Sequence, residues 1–502
     1  MVKKNIISNI VGNVLVLIIS LVFIPLYIRY LGIEAYGLIG FFTVLQNISA
    51  LLDMGIGTSI NREIARLSIL PNARREMTAI LYSMEIIGWI TALSIGTVII
   101  ILSSIISNNW LQSVNLPIES INRSIILMGI AISFQWPLTL YTGGLTGLQH
   151  QLLFNLINVT MALLRAGGTI AIFIFVYPSI ENFLIWQIAA NIMQTLMLRN
   201  FLWIKISPTD KKIFQWSVVK PLYKFGGGVA MITIVGFIAS QIDKLILSKT
   251  LTLEMFGYYA LAGVVATSFS RLIGPVVSAV SPRFTQLITI GDMTGLKHLY
   301  HAGCQIMSVL IIPAALFLAF FAEELLFIWT RNHNISQNAS MFVFFLSIST
   351  LFYGLSHLPL SMHYSLGKTS AILHINIIVG LIMVPIIVLT AMHIGALAVT
   401  VALMASNIIY AALIVRTMHR SILQNEKTKW YIKDVGIPFM VSLVFLGIAR
   451  ATIRVDYNLF TNSAILSIIA LFSLAATALS VPVTRNYLLK NKSNLQLKSP
   501  QA

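Results

Sequence analysis

Apolar residues run along this chain in stretches of about twenty or more, separated by short polar segments such as "REIARLSILPNARRE", "KISPTDKKIFQW" and "HRSILQNEKTKWY". Runs of that length cross a bilayer as helices. Alternating ten-residue segments, the mark of an outer-membrane barrel, are absent from the pattern. The runs predict fourteen spans, at roughly 5–30, 36–60, 78–106, 124–148, 151–177, 180–203, 222–249, 253–280, 299–321, 338–361, 369–391, 394–417, 434–452 and 460–482. No connection exceeds about twenty residues, which leaves no room for an inserted soluble domain. The fold class expected is therefore an all-α polytopic membrane protein with about 14 transmembrane helices.

The pattern also repeats. Leu31, Glu34, Tyr36 and Gly37 in "YLGIEAYG" return as Leu251, Glu254, Phe256 and Gly257 in "TLTLEMFG", each displaced by 220 positions. Both stretches join two spans, and the displacement equals six spans. An even number leaves the copies the same way up, which predicts two parallel six-helix halves and a final pair of spans. The amphipathic loops expected after the second and eighth spans also correspond, at "REIARL" and "PRFTQL". The domains expected are an N-lobe (1–204), an inter-lobe linker (205–221), a C-lobe (222–420) and residues 421–502, holding the last two spans and a basic tail. In each turn the glutamate opens a helix at its positive dipole end, and the glycine permits close approach of helix ends.

Composition adds little to the class: 57% hydrophobic and 10% charged residues exclude an ordinary soluble domain. The charge of +17 is more informative once it is located. With the N-terminus inside, 24 of the 33 lysines and arginines fall on inside segments, including Lys3, Lys4, Arg74, Arg75 and Arg199. The excess is a topology signal, attracted to anionic lipid, and no nucleic-acid patch; both termini are expected to be cytoplasmic. The first run is too long for a signal-peptide core and is expected to be retained. A single cysteine, Cys304, excludes an internal disulfide and a cysteine metal cluster.

"FIPLYIRYLGIEAYGLIGFF", "LDMGIGTSINREIAR" and "SQIDKLILSKTLTLEMFGYYALA" resemble the polysaccharide flippases of the MOP superfamily, in particular the Wzx-type O-antigen repeat-unit flippases. The resemblance covers the whole chain, including the twelve-plus-two span count. It implies two lobes in a V-like arrangement in a bacterial inner membrane. It also implies translocation of an undecaprenyl-pyrophosphate-linked oligosaccharide from the cytoplasmic to the periplasmic leaflet by alternating access. Membrane lipids, a polysaccharide polymerase and chain-length machinery are the further partners implied.

Charges within the spans need a reason, because one at mid-bilayer costs at least about 2.5–3.5 kcal/mol on translocon scales. Arg165 sits near the centre of span five, and Arg271 about ten residues from the inner end of span eight. Lys244 and Arg29 lie toward the outer ends of spans seven and one. These four are the expected substrate-binding cations of an interlobe cavity, where guanidinium groups suit pyrophosphate oxygens. The alternative is internal pairing with the carboxylates Asp53, Asp243 and Glu85, or interfacial snorkelling for Arg29. Those carboxylates are candidates for structural pairing or for coupling to an ion, H+ or Na+.

Other signals carry less. The GKT of "MHYSLGKTS" (Met362–Ser370) lacks the first glycine of a phosphate loop. "HLYH" (His298, His301) offers two ligands and no third, so no metal or cofactor is expected. "GGLTG" (Gly143, Gly144, Gly147) and "FGGG" (Gly226–Gly228) are expected to be helix-packing surfaces. His357, His363 and His374 are expected to be packing histidines. No nucleophile-plus-base set stands out, so the chain is expected to be a transporter. The competing functions are a lipid II flippase or a cation-coupled drug exporter of the same superfamily and, from another class, a membrane glycan polymerase or ligase. Arg165 argues against the exporter, and the short outside segment at 107–123 against the enzyme.

Overall fold

A computed structural model describes residues 2–53, 55–70, 73–207, 213–220, 241–366, 369–453 and 459–486. Outside them lie most of the expected seventh span, Gly226–Gly228, residues 208–212 of the linker, Gly367 and Lys368 of the GKT, and the basic tail from 487. The regular helices are α1 (Val2–Leu31), α2 (Ile33–Leu51), α3 (Ile56–Leu67), α4 (Arg74–Asn109), α5 (Ile118–Gln135), α6 (Leu138–Gly147), α7 (Gln151–Phe175) and α8 (Ile180–Ile206). They continue as α9 (Leu253–Thr267), α10 (Ile273–Thr289), α11 (Met293–Phe320), α12 (Ala322–Thr330), α13 (His333–Ser365), α14 (Thr369–His393), α15 (Ala396–Ser421), α16 (Ile437–Thr452) and α17 (Leu459–Ser480). A 3₁₀ turn, Ser268–Leu272, joins α9 to α10, and a π-helical turn, Trp430–Gly436, precedes α16. One isolated bridge, Gln112 to Thr252, is the only β pairing among the described residues.

Among those residues, 11 helices are long and apolar enough to cross a membrane, or 12 with the bent pair α2–α3 counted as one span. Of the fourteen runs read from the sequence, two are missing from that set. The seventh lies mostly outside the described residues. The sixth is α8, 27 residues long but carrying Gln187, Asn191, Gln194 and Arg199 along its length.

Two compact units form, Met1–Gly257 and Tyr258–Ala502. In the first, α4 packs on α5, α3 on α6, α5 on α8 and α7 on α8. In the second, α11 packs on α13, α10 on α13, α13 on α15 and α14 on α15. Counted as spans these are 3–4, 2–4, 4–6 and 5–6, then 9–10, 8–10, 10–12 and 11–12. Each pairing recurs six spans later, so the repeat read from one turn extends to the packing of whole helices. The closing helices α16 and α17 pack on each other and on α11. Large apolar side chains left exposed, among them Ile18, Val22, Ile101, Leu381 and Phe472, suit lipid rather than water.

The segments "REIARL" and "PRFTQL", expected as loops, are helical ends of α3 and α10. Ile56, Ile60, Ile64 and Leu67 recur at helical spacing and are buried, while Arg66 pairs with Glu63 on the outer face. Gly143 of α6 lies against the backbone of α3: a Cβ there would stand 2.4 Å from Gly57 O. "GGLTG" is thus a close-packing surface, as its small residues suggested.

The repeated turn is a contact of the chain with its own copy. A Cβ on Gly37 would fall 2.0 Å from Leu253 O, and one on Gly257 would fall 2.4 Å from Ile33 O. The first turns of α2 and α9 therefore cross reciprocally at their glycines. The segment after α4 ties both down. Glu34 accepts from the backbone N–H groups of Val114 (2.6 Å) and Asn115 (3.0 Å), and Leu253 N donates to Gln112 O (2.7 Å).

Candidate functional site

Helix α7 places Arg165 against α8. Its Nη2 donates to Asn191 Oδ1 (2.8 Å) and Gln194 Oε1 (2.9 Å), acceptors three residues apart on one face of α8. These amides are themselves fixed: Asn191 Nδ2 donates to Ala131 O (3.0 Å), and Gln194 Nε2 to Asn158 Oδ1 (2.8 Å). Trp186 Nε1 and Thr169 Oγ1 both donate to Arg165 O. The guanidinium has no carboxylate partner among the described residues, and its buried Nε donates to none of them. Neutral amides hold this group without neutralising it, so its charge and part of its donor set remain for an anion.

Arg271 lies on the 3₁₀ turn that interrupts the eighth span, exposed, with no hydrogen bond or ion pair to a described residue. The second span is interrupted at the matching place, between α2 and α3. There Asp53 accepts from Thr139 Oγ1 (3.0 Å) and Gly57 N (3.4 Å). A carboxylate at the start of α3 meets the positive end of that helix, which gives Asp53 a capping role. It also lines a cavity of about 70 Å³ with Gln46, Ser49, Gln135 and Thr139, and Gln46 Nε2 donates to Gln135 Oε1 (2.5 Å).

On the same helix α2, Asn47 Nδ2 donates to Gln241 Oε1 (3.2 Å), which also receives Lys244 Nζ (3.1 Å). Asp243 is buried beside Lys244 in sequence, and the lysine turns away to Gln241. Arg29 is exposed in the last turn of α1, where a cation suits the helix dipole. Glu85 is buried and receives Tyr141 OH (2.7 Å), Arg199 Nε and Trp203 Nε1 (3.2 Å), with Trp89 Nε1 donating to Tyr141 OH (3.3 Å). That is a closed ion-pair hub.

The candidate residues thus fall into separate places: Arg165 on α7 and α8, Asp53 and Lys244 along α2, Glu85 between α4, α6 and α8, and Arg271 in the second unit. A reading of formal charges overlooked the amides that organise these places: Gln46, Asn47, Gln135, Asn191, Gln194 and Gln241. Their signal was available, since an amide within an apolar run also needs a partner.

The family model described as "Polysaccharide biosynthesis protein" matches residues 2–288. A Shigella flexneri protein named "Putative O-antigen transporter" is 23% identical over 380 residues, covering 74% of this chain and 87% of its own. Among solved structures, the lipid II flippase MurJ in an inward closed conformation shares 14% identity at TM-score 0.69, covering 94% of this chain and 98% of its own. An inward-facing multidrug resistance MATE family transporter of the MOP superfamily shares 15% identity at TM-score 0.62, covering 87% and 96%. At those identities the two structures establish a common fold. With the matched region spanning more than half its length, the chain belongs to the polysaccharide biosynthesis protein family, on the fold of the MOP transporters.

Proposed function

We propose that the chain is a flippase carrying an undecaprenyl-pyrophosphate-linked oligosaccharide, an O-antigen repeat unit, from the cytoplasmic to the periplasmic leaflet by alternating access. Arg165 meets the anionic headgroup with the donors its amide partners leave unused, and the lipid tail stays in the bilayer. The inner membrane, cytoplasmic termini and a polymerase as partner belong to the same proposal. The observation that carries it is Arg165: a guanidinium inside an apolar span, held by amides rather than carboxylates, with donors left over. Phosphate oxygens are the acceptors such a group fits.

The test uses the full chain in vesicles loaded on one leaflet with an undecaprenyl-pyrophosphate-linked oligosaccharide. Exposure of sugar on the far leaflet is scored with an impermeant oxidant. Arg165→Ala is expected to lower the rate about 10–100-fold, the worth of one charge-assisted hydrogen bond of about 1.5–3 kcal/mol, with membrane insertion intact. An undiminished rate removes Arg165 from the headgroup site. Lipid II in a parallel arm separates the neighbouring reading: movement of lipid II alone would assign the chain that cargo instead.

A further inference from the structure

The second unit holds a network that headgroup binding does not use. His301, in α11, is buried at 3% exposure. Its Nε2 lies 3.1 Å from Glu426 Oε2, and its Nδ1 is hydrogen-bonded to Asp434 Oδ2. Asp434, in the π-helical turn, is fully buried, and its second oxygen accepts from Gln305 Nε2 (2.9 Å). Glu426 turns Oε1 to Lys297 Nζ (3.0 Å), with Lys429 Nζ 3.8 Å from Oε2. The remaining titratable neighbours are Tyr300 and Cys304 on α11, His419 on α15, and Tyr431. His419 uses its Nδ1 on Val415 O of its own helix and meets the Tyr300 ring edge-on.

Donor counting constrains this arrangement. A neutral imidazole has one N–H and one lone pair, whereas carboxylates only accept. Between two carboxylates, both contacts become hydrogen bonds only when the group binds one proton beyond the neutral set. Lys297, hydrogen-bonded to Glu426, holds that carboxyl below the usual carboxylate range, so Glu426 is ionised. Asp434 already receives Gln305. Gln305 occupies only Oδ1 of Asp434, so the added proton sits in the contact between Asp434 Oδ2 and His301 Nδ1.

We propose that His301, clasped between Asp434 and Glu426, is a proton-binding site, loaded from the aqueous side through the partly exposed Glu426 and Lys297. Its occupancy fastens the last two spans to α11. Without the proton, a ring lone pair confronts a carboxylate in a buried setting, and the join of α11 to the π-helical turn weakens. Gln305 extends the join, because its Oε1 accepts from Val483 N (3.4 Å) just beyond α17. The inference is independent of the cargo.

The experiment follows the thermal midpoint of the full-length protein in micelles between about pH 6 and about pH 9. Free histidine releases its proton near about pH 6.5. On this proposal the folded chain keeps, above that value, a proton that the unfolded chain has released, so stability falls as pH rises. Glu426, whose carboxyl is held low, contributes fully above about pH 4.3 and is lost only below it, so it adds no slope here. The wild type is expected to lose several degrees across the range. Glu426→Gln is expected to flatten the profile and to exceed the wild type at the alkaline end, because its amide donates to a neutral ring. His301→Gln is expected to be flat as well, and should it fail to fold, the wild type against Glu426→Gln decides alone. Parallel slopes for wild type and Glu426→Gln, or a uniform loss in Glu426→Gln at every pH, would overturn the proposal.

Discussion

Alanine at position 37 is expected to cut the folded yield several-fold. A Cβ there would stand 2.0 Å from Leu253 O, backbone on a rigid helix start, so no side chain can swing aside. Overpacking a tight contact costs about 1–3 kcal/mol when neighbours can shift, and an overlap with backbone belongs at the top of that range or above it. Gly257→Ala strikes the same crossing from the other side, 2.4 Å from Ile33 O. The double variant is expected to lose less than the two single losses added, since one separation of the helices relieves both. Gly263→Ala supplies the control: nothing stands within 4 Å of its added methyl, and a helix-interior glycine replaced by alanine gains about 0.5–1 kcal/mol. Size-exclusion yield and thermal midpoint together read the outcome. Wild-type yield from Gly37→Ala would mean that the crossing of α2 and α9 does not hold the fold.

The second large effect is expected at Glu85. Its carboxylate, 6% exposed, collects Tyr141, Arg199 and Trp203 on helices far apart in sequence. Glu85→Ala leaves the buried Tyr141 OH and Trp203 Nε1 without their acceptor, at about 1–3 kcal/mol each, while Arg199, 36% exposed, can turn to water. The double variant Glu85→Ala with Arg199→Met is expected to lose less than the two single losses added, because Arg199→Met alone leaves the buried Glu85 carboxylate without its cation. The thermal midpoints of the single and double variants measure this directly. A double variant as unstable as the sum of both singles would show that the two residues act separately.

How much of this was legible beforehand varies with the kind of interaction. Helices and their repeat were readable, because bilayer length and backbone hydrogen bonding leave apolar runs one solution. The crossing of Gly37 and Gly257 was only half readable: the recurrence was visible, but not that the copies touch. Arg165 stood out as a charge, whereas Asn191 and Gln194 did not, since their meeting with it depends on the rotational phase of α8 against α7. "REIARL" read as a loop because its arginines broke the apolar run, although Ile60, Ile64 and Leu67 were already spaced for a buried helix face. His301 was noticed for its spacing from His298. Its partners Glu426 and Asp434 stand 125 and 133 residues downstream, a distance that no local pattern bridges.

The π-helical turn at Trp430–Gly436 has a consequence for how insertions and deletions are tolerated. Such a turn amounts to one extra residue threaded into an α-helix. Excising a single residue from 431–433 would restore ordinary winding and leave Asp434 facing nearly as it does now, because the wide turn already absorbs the extra residue. Inserting one more residue would instead turn Asp434 about 100° around the axis and away from His301, so this stretch tolerates shortening better than lengthening.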